Sequence, residues 1–242
     1  GFTNYASERV MNHLRSKGLI PGDPDPTTYE SFYNGYIDLV MSGVEEPLST
    51  HADHFEDAGA YGAAAYQKGA LFLYQLEYVI GKPAFDQGLL DFFNTWKFKH
   101  PDDNDFIRVM EKSSGLELDW YRDYMVYSLK TVDYSVDTVF AYQEQSAIIL
   151  ERIRDMPMPI DVVINTKAGT QLYYTIPLDI MRGAKEERGP DDKPYELLHD
   201  WNWVNPSYLF VVPFTPDQIQ SVTIDPYMRM LDLDRENNVW AY

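Results

Sequence analysis

The chain has 242 residues, 45% of them hydrophobic and 15% aromatic, enough apolar surface for one or two packed domains. It carries 20 Lys and Arg against 38 Asp and Glu, a formal charge of −18; such an acidic surface repels phosphate backbones and argues against nucleic acid as a partner. Cysteine is absent, which excludes disulfides, thiolate metal sites and cysteine nucleophiles.

In chain order, residues 2–17 put Phe2, Tyr5, Ala6, Val10, His13 and Leu14 on one helical face, and Gly18 stops the run. Pro21, Gly22, Pro24 and Pro26 make a loop, after which Thr27 and Glu30 fit a capping box opening a helix that runs to about Gly43. Residues 44–60 are polar and read as loop. Tyr61 to Ile80 is apolar on nearly every side, the pattern of a buried helix, ended by Gly81 and Pro83. A further helix carries Phe85, Leu89, Phe92, Phe93 and Trp96. Asp103 or Asn104 can cap the next, which Gly115 closes, and residues 117–128 form a last helix with Trp120, Tyr121, Tyr124 and Tyr127.

Near residue 132 the pattern changes from helical spacing to short, alternating, β-branched runs. Strands are predicted at 136–142, 148–153, 160–165, 171–178, 208–214 and 221–224, with turn chemistry such as Lys167-Ala168-Gly169 between them. Six such strands suggest a β-sandwich. The stretch 183–194 is charged and rich in Gly and Pro and is expected to be an exposed loop. The fold class is therefore α+β, with a helical part over 1–132 and a β-sandwich over 133–242. No run approaches the length of a transmembrane helix. Localisation stays open, because the chain opens on Gly1-Phe2-Thr3, already within a helical pattern, and reads as a piece of a longer protein.

Little in the sequence carries chemistry outright. The five histidines include no His-Glu-x-x-His pair, and His51-Ala-Asp-His54 is the one close pair; helical spacing would put both rings on one face near Asp53, and a surface role is favoured over metal binding. There is no Gly-x-Ser-x-Gly elbow and no phosphate-binding glycine loop. Asp102 and Asp103 sit where helix-start charge explains them. Trp201 and Trp203 could offer a sugar-stacking face, with core packing favoured over it. The segment that stands apart is 60–70, where small residues and two tyrosines open a very apolar helix. Small residues admit a close backbone or substrate, and a phenol beside such an opening can donate its proton to an oxyanion.

Tyr66-Gln67-Lys68-Gly69-Ala70 resembles the Tyr-x-Lys-Gly-Ala motif of the gluzincin aminopeptidases, the aminopeptidase N family. The likeness continues through 73–81, Phe85, Asp105-Phe106, Ser114-Gly115 and Leu118-Asp119-Trp120. Gly1-Phe2-Thr3 resembles the stretch that follows that family's third zinc ligand. Val222-x-Ile224-Asp225-Pro226 and Asp234-Arg235-x-Asn237-Asn238 look like the terminal β-domain of bacterial members.

The resemblance implies a thermolysin-like catalytic domain of which 1–132 is the helical remainder. It implies a zinc-dependent aminopeptidase acting on peptides through a metal-activated water. Tyr66 stands at the position of the catalytic tyrosine that stabilises the oxyanion. Tyr61, five residues earlier, matches a second tyrosine near that family's active site, in a substrate-binding or a packing role. The zinc ligands, the general-base glutamate and the Gly-x-Met-Glu-Asn signature would precede Gly1. Zinc is then a cofactor of the whole protein and none is expected in this piece, which would be inactive alone. Self-association through apolar faces such as Phe2, Val10 and the helix after Tyr66 is a further expectation. The alternative is a non-catalytic binding or scaffold module that engages a protein or glycan through the acidic surface and the Trp201–Trp203 region.

Overall fold

The computed structural model describes residues 1–25, 28–186, 188 and 194–242. Seven α-helices precede eight strands in these residues, an α+β arrangement. The chain gathers into two compact units, one of residues 1–77 with 121–129 and the other of residues 78–120 with 130–242.

The first unit is helical. α1 (Phe2–Ser16) ends where Gly18 enters the left-handed region at φ 66°, a conformation glycine adopts without a Cβ penalty. α2 (Glu30–Ser42) closes on Gly43 at φ 71°. The predicted Thr27 cap lies outside the described residues. α3 (Ala58–Gly62) starts on Asp57, whose carboxylate accepts the Ala60 N–H at 2.8 Å. A π-helical turn over Ala63–Lys68 joins it to α4 (Gly69–Ile80).

α4 is buried as its all-round apolarity predicts: Ala70, Leu71, Leu73, Leu76 and Val79 have no exposed surface. It is therefore not among the faces left open for self-association. The apolar residues of α1 stay partly open, as the sequence suggests for Phe2 and Val10. Tyr5 is buried, but Phe2 and Val10 are exposed. α1 is held through polar groups instead: the Tyr5 hydroxyl and Arg9 both donate to Glu77 Oε2, at 2.7 and 2.6 Å. Burial, then the charge of Glu77, pushes the Tyr5 hydroxyl pKa upward, so it stays a donor. From α7 (Asp119–Tyr127), buried Tyr121 donates to the Phe72 carbonyl at 2.6 Å.

The second unit holds α5 (Lys82–Trp96), α6 (Asp103–Ser114) and the strands. Gly88 of α5 faces Met110 and Ser113 of α6, where a Cβ would lie 2.5 Å from the sulfur. Asp102, one residue before the nearer predicted cap, forms a reciprocal capping box with Asp105. The Asp105 N–H holds its carboxyl below the usual range, as a helix start favours.

All six predicted strands form, as β1 (Tyr134–Tyr142), β2 (Gln145–Arg152), β3 (Ile160–Thr166), β4 (Gln171–Ile176), β6 (Ser207–Val212) and β7 (Ile219–Ile224). β5 (Glu196–Leu197) and β8 (Val239–Ala241) are too short to show a period. One sheet has the order β1-β2-β6; the other has β5-β4-β3-β7-β8, antiparallel except for β4 with β5. Tyr174 of β4 and Phe210 of β6 meet edge to face across the two sheets at 5.8 Å.

Of two segments singled out in the sequence, the aromatic one packs as favoured and the charged one differs. Trp201 is buried between Tyr134 and Tyr208, with ring centroids at 5.5 and 5.2 Å, and so is not a surface platform. In the stretch 183–194, of which 187 and 189–193 lie outside the described residues, Lys185 is buried rather than exposed. Its ammonium bonds Asp161 Oδ2 at 2.6 Å and the Tyr78 carbonyl at 2.9 Å, and lies 3.8 Å above the Tyr78 ring. Arg229 reaches the same Asp161 oxygen at 3.1 Å, and Thr175 donates to the other at 2.6 Å. A charge-rich segment needs no solvent when a buried carboxylate supplies its partner. No helix among the described residues is long and apolar enough to cross a membrane.

Candidate functional site

Each residue of the 66–70 motif has a distinct environment, all within the first unit. Tyr66 is 56% exposed, so its phenol projects outward. Gln67 lies against Gly35 of α2, where any Cβ would collide with its amide. Lys68 points inward and is 3% exposed, its ammonium 2.6 Å from Glu45 Oε1. Gly69 meets Gly1 backbone to backbone: a Cβ on Gly1 would fall 2.7 Å from the Gly69 carbonyl carbon. Ala70 is fully buried.

The small residues thus admit a close backbone, as the sequence suggests, and that backbone is the start of α1. The Gly1 nitrogen donates to the Ala65 carbonyl at 2.7 Å, and Asn4 Nδ2 donates to the Tyr66 carbonyl at 3.3 Å. These bonds take up carbonyls within the π turn, where the regular i→i−4 ladder is interrupted. π turns are rare and are found frequently at functional sites.

Tyr61 is 39% exposed and packs edge to face on Phe55 at 5.4 Å. The two sequence candidates are therefore both accessible on one helical run.

Glu45 is the residue that the sequence reading passed over. It sits in the segment taken as polar loop, yet its side chain is 7% exposed through the pairing with Lys68. Burial, then the Glu45 charge, pushes the hydroxyl of buried Tyr36 upward in pKa, keeping it protonated. A lysine inside an otherwise apolar helix is the signal that could have pointed to such a partner.

His51 and His54 flank a single 3₁₀ turn, with ring centroids 5.5 Å apart. His51 Nδ1 accepts the Asp53 N–H at 3.2 Å and is 3.8 Å from its carboxylate, and both side chains are largely exposed. That arrangement is a solvated turn and does not fit a zinc ion. Among the described residues, no group of three or more His, Asp or Glu side chains is placed to hold a metal.

The Peptidase family M1 domain matches residues 1–125, just over half of the 242. The chain belongs to the M1 peptidase family. Over 47 residues it is 45% identical to a leukotriene A-4 hydrolase homolog of Botryotinia fuckeliana and 43% identical to leucine aminopeptidase 2 of Sclerotinia sclerotiorum. Each alignment covers 19% of this chain, and 7% and 8% of those relatives respectively. A solved structure, Legionella pneumophila aminopeptidase A in complex with aspartic acid, aligns at a TM-score of 0.49 and 13% identity, covering 86% of this chain and 22% of that one. The M1 match takes in all of the Tyr61–Ala70 segment.

Proposed function

We propose that this M1 chain is part of a zinc-dependent aminopeptidase in which Tyr66 stabilises the oxyanion formed when a peptide carbonyl is attacked. The observation that carries the proposal is the outward Tyr66 phenol on a π turn whose neighbours Lys68 and Ala70 are buried. A phenolic O–H held by a rigid segment can meet developing negative charge without reorganising, which is the basis of oxyanion stabilisation. Tyr61 lines the same run and is assigned to the substrate side. The M1 peptidase match and the relative named leucine aminopeptidase 2 support peptide hydrolysis as the reaction.

Residues 1–132 are then the helical part of a thermolysin-like catalytic domain, and 133–242 are a β-sandwich domain. The metal, its ligands and the general base are assigned to residues other than those of this chain, which has no His-Glu-x-x-His pair. By itself the chain is expected to be inert toward peptides.

The test is Tyr66→Phe in the longer protein that contains this sequence, assayed on an aminoacyl p-nitroanilide. Loss of one oxyanion donor lowers kcat by about 10²–10³, with KM nearly unchanged because the bond strengthens only in the transition state. A kcat within about threefold of the parent would remove Tyr66 from the mechanism.

A further inference from the structure

We infer that the buried Lys68–Glu45 ion pair is a positioning device that holds the π turn over Ala63–Lys68 and thereby aims the Tyr66 hydroxyl. The inference rests on the reading of Tyr66 as oxyanion donor and adds to it two residues that never touch substrate.

Tyr66 and Lys68 are two positions apart, so they leave the helix on roughly opposite sides. One side projects into solvent and the other is pinned. The pin is strong in kind: the Lys68–Glu45 contact is 2.6 Å, with the side chains 3% and 7% exposed. Little solvent is present to screen it, and neither charge is tolerated alone in that environment. Lys68 closes the π turn, and the next residue, Gly69, begins regular α-helix.

A π turn accommodates one residue more than an α turn. Relaxation to α-helix would shift the register by one residue, a rotation of about 100°. Such a rotation would carry Tyr66 away from its present direction and would also pull Lys68 off Glu45. The ion pair therefore opposes the one rearrangement that most easily misdirects the phenol. The Gly1–Ala65 and Asn4–Tyr66 backbone contacts fix the same turn from the α1 side. Glu45 holds it from the segment that follows α2.

The experiment is a double-mutant cycle in the longer protein: parent, Lys68→Met, Tyr66→Phe and both together. The pair Glu45→Gln with Lys68→Met, which leaves no lone buried charge, takes the place of Lys68→Met in the cycle if the single variant fails to fold. The inference expects Lys68→Met to lower kcat by about 10- to 100-fold, the scale of a catalytic group misplaced by about 1 Å, with KM within about twofold. In the Tyr66→Phe background the same change is expected to have no further effect on kcat, because there is no hydroxyl left to aim.

Amide hydrogen exchange on the 1–242 chain supplies a readout independent of activity. Lys68→Met is expected to speed exchange at residues 63–69 selectively. A Lys68→Met loss that multiplies with that of Tyr66→Phe, or a Lys68→Met kcat equal to the parent's, overturns the positioning role. A Tyr66→Phe variant with parental kcat overturns the oxyanion reading itself, and that arm is scored before the cycle is interpreted.

Discussion

Lys185→Met separates most sharply what the sequence suggests from what the fold imposes. On an exposed loop, replacing one lysine changes stability by within about 0.5 kcal/mol. In the structure the ammonium is buried, bonded to Asp161 at 2.6 Å and to the Tyr78 carbonyl at 2.9 Å. Removing one member of a buried pair leaves the other charge uncompensated, at a cost of about 3–5 kcal/mol. Arg229 at 3.1 Å and Thr175 at 2.6 Å still serve the Asp161 carboxylate, so the low end, about 3 kcal/mol, is expected.

For a chain of this size that loss corresponds to a fall in Tm of about 6–12 °C. Because the chain forms two units, a single global transition is not assumed. Hydrogen exchange at the Val162, Val163 and Ile164 amides of β3 reads the second unit directly. Adding Asp161→Asn to Lys185→Met also takes the carboxylate from Arg229, which lies 3.1 Å from it, so little of the loss is expected to be recovered. A Lys185→Met loss below about 0.5 kcal/mol would refute the assignment of this lysine to the core.

Asp232 gives a pH signature. Burial raises its carboxyl to about 7, against the N–H groups of Tyr134 and Asp234 that favour the ionised form. The unfolded value is about 4, so between about pH 4 and 7 the native state keeps a proton that the unfolded chain has released. The stability this adds is fully present below about pH 4 and is lost as pH rises to about 7. β1 exchange protection should show that decline, and Asp232→Asn should flatten it; identical profiles for the two proteins would count against the shift. Gly88→Ala should destabilise the second unit by about 1–3 kcal/mol through overpacking against Met110 and Ser113, although alanine is the better helix former by about 1 kcal/mol. A rise in Tm would show that the α5–α6 contact has slack.

Much of the secondary structure was legible because the relevant signals are local. The apolar run to Ile80 was long enough to identify a buried helix, and the β-branched alternation after residue 132 located the six longer strands. The one-faced pattern read on α1 does not by itself say which of its residues leave water. Periodicity records which residues could be buried, whereas the partner decides which are, and α1 is held by Tyr5 and Arg9 on Glu77, a residue 68 positions from Arg9. The tyrosine candidates were found through a motif, while their supports were not. Glu45 and Gly35 lie 23 and 32 positions before Lys68 and Gln67, in segments whose own patterns say nothing of those contacts.

The sequence alone determined the order of helices and strands, the acidic surface, the lack of a His-Glu-x-x-His pair and the M1-type motif around Tyr66. Those properties are carried by neighbouring residues or by composition. The tertiary structure decided which charges leave water, as with Lys68 on Glu45 and Lys185 on Asp161. It also decided that the motif's helix opens through a π turn with Tyr66 outward and Gly69 against Gly1. Burial and long-range pairing depend on residues far apart in the chain, and the energy that fixes them exists only once those residues have met.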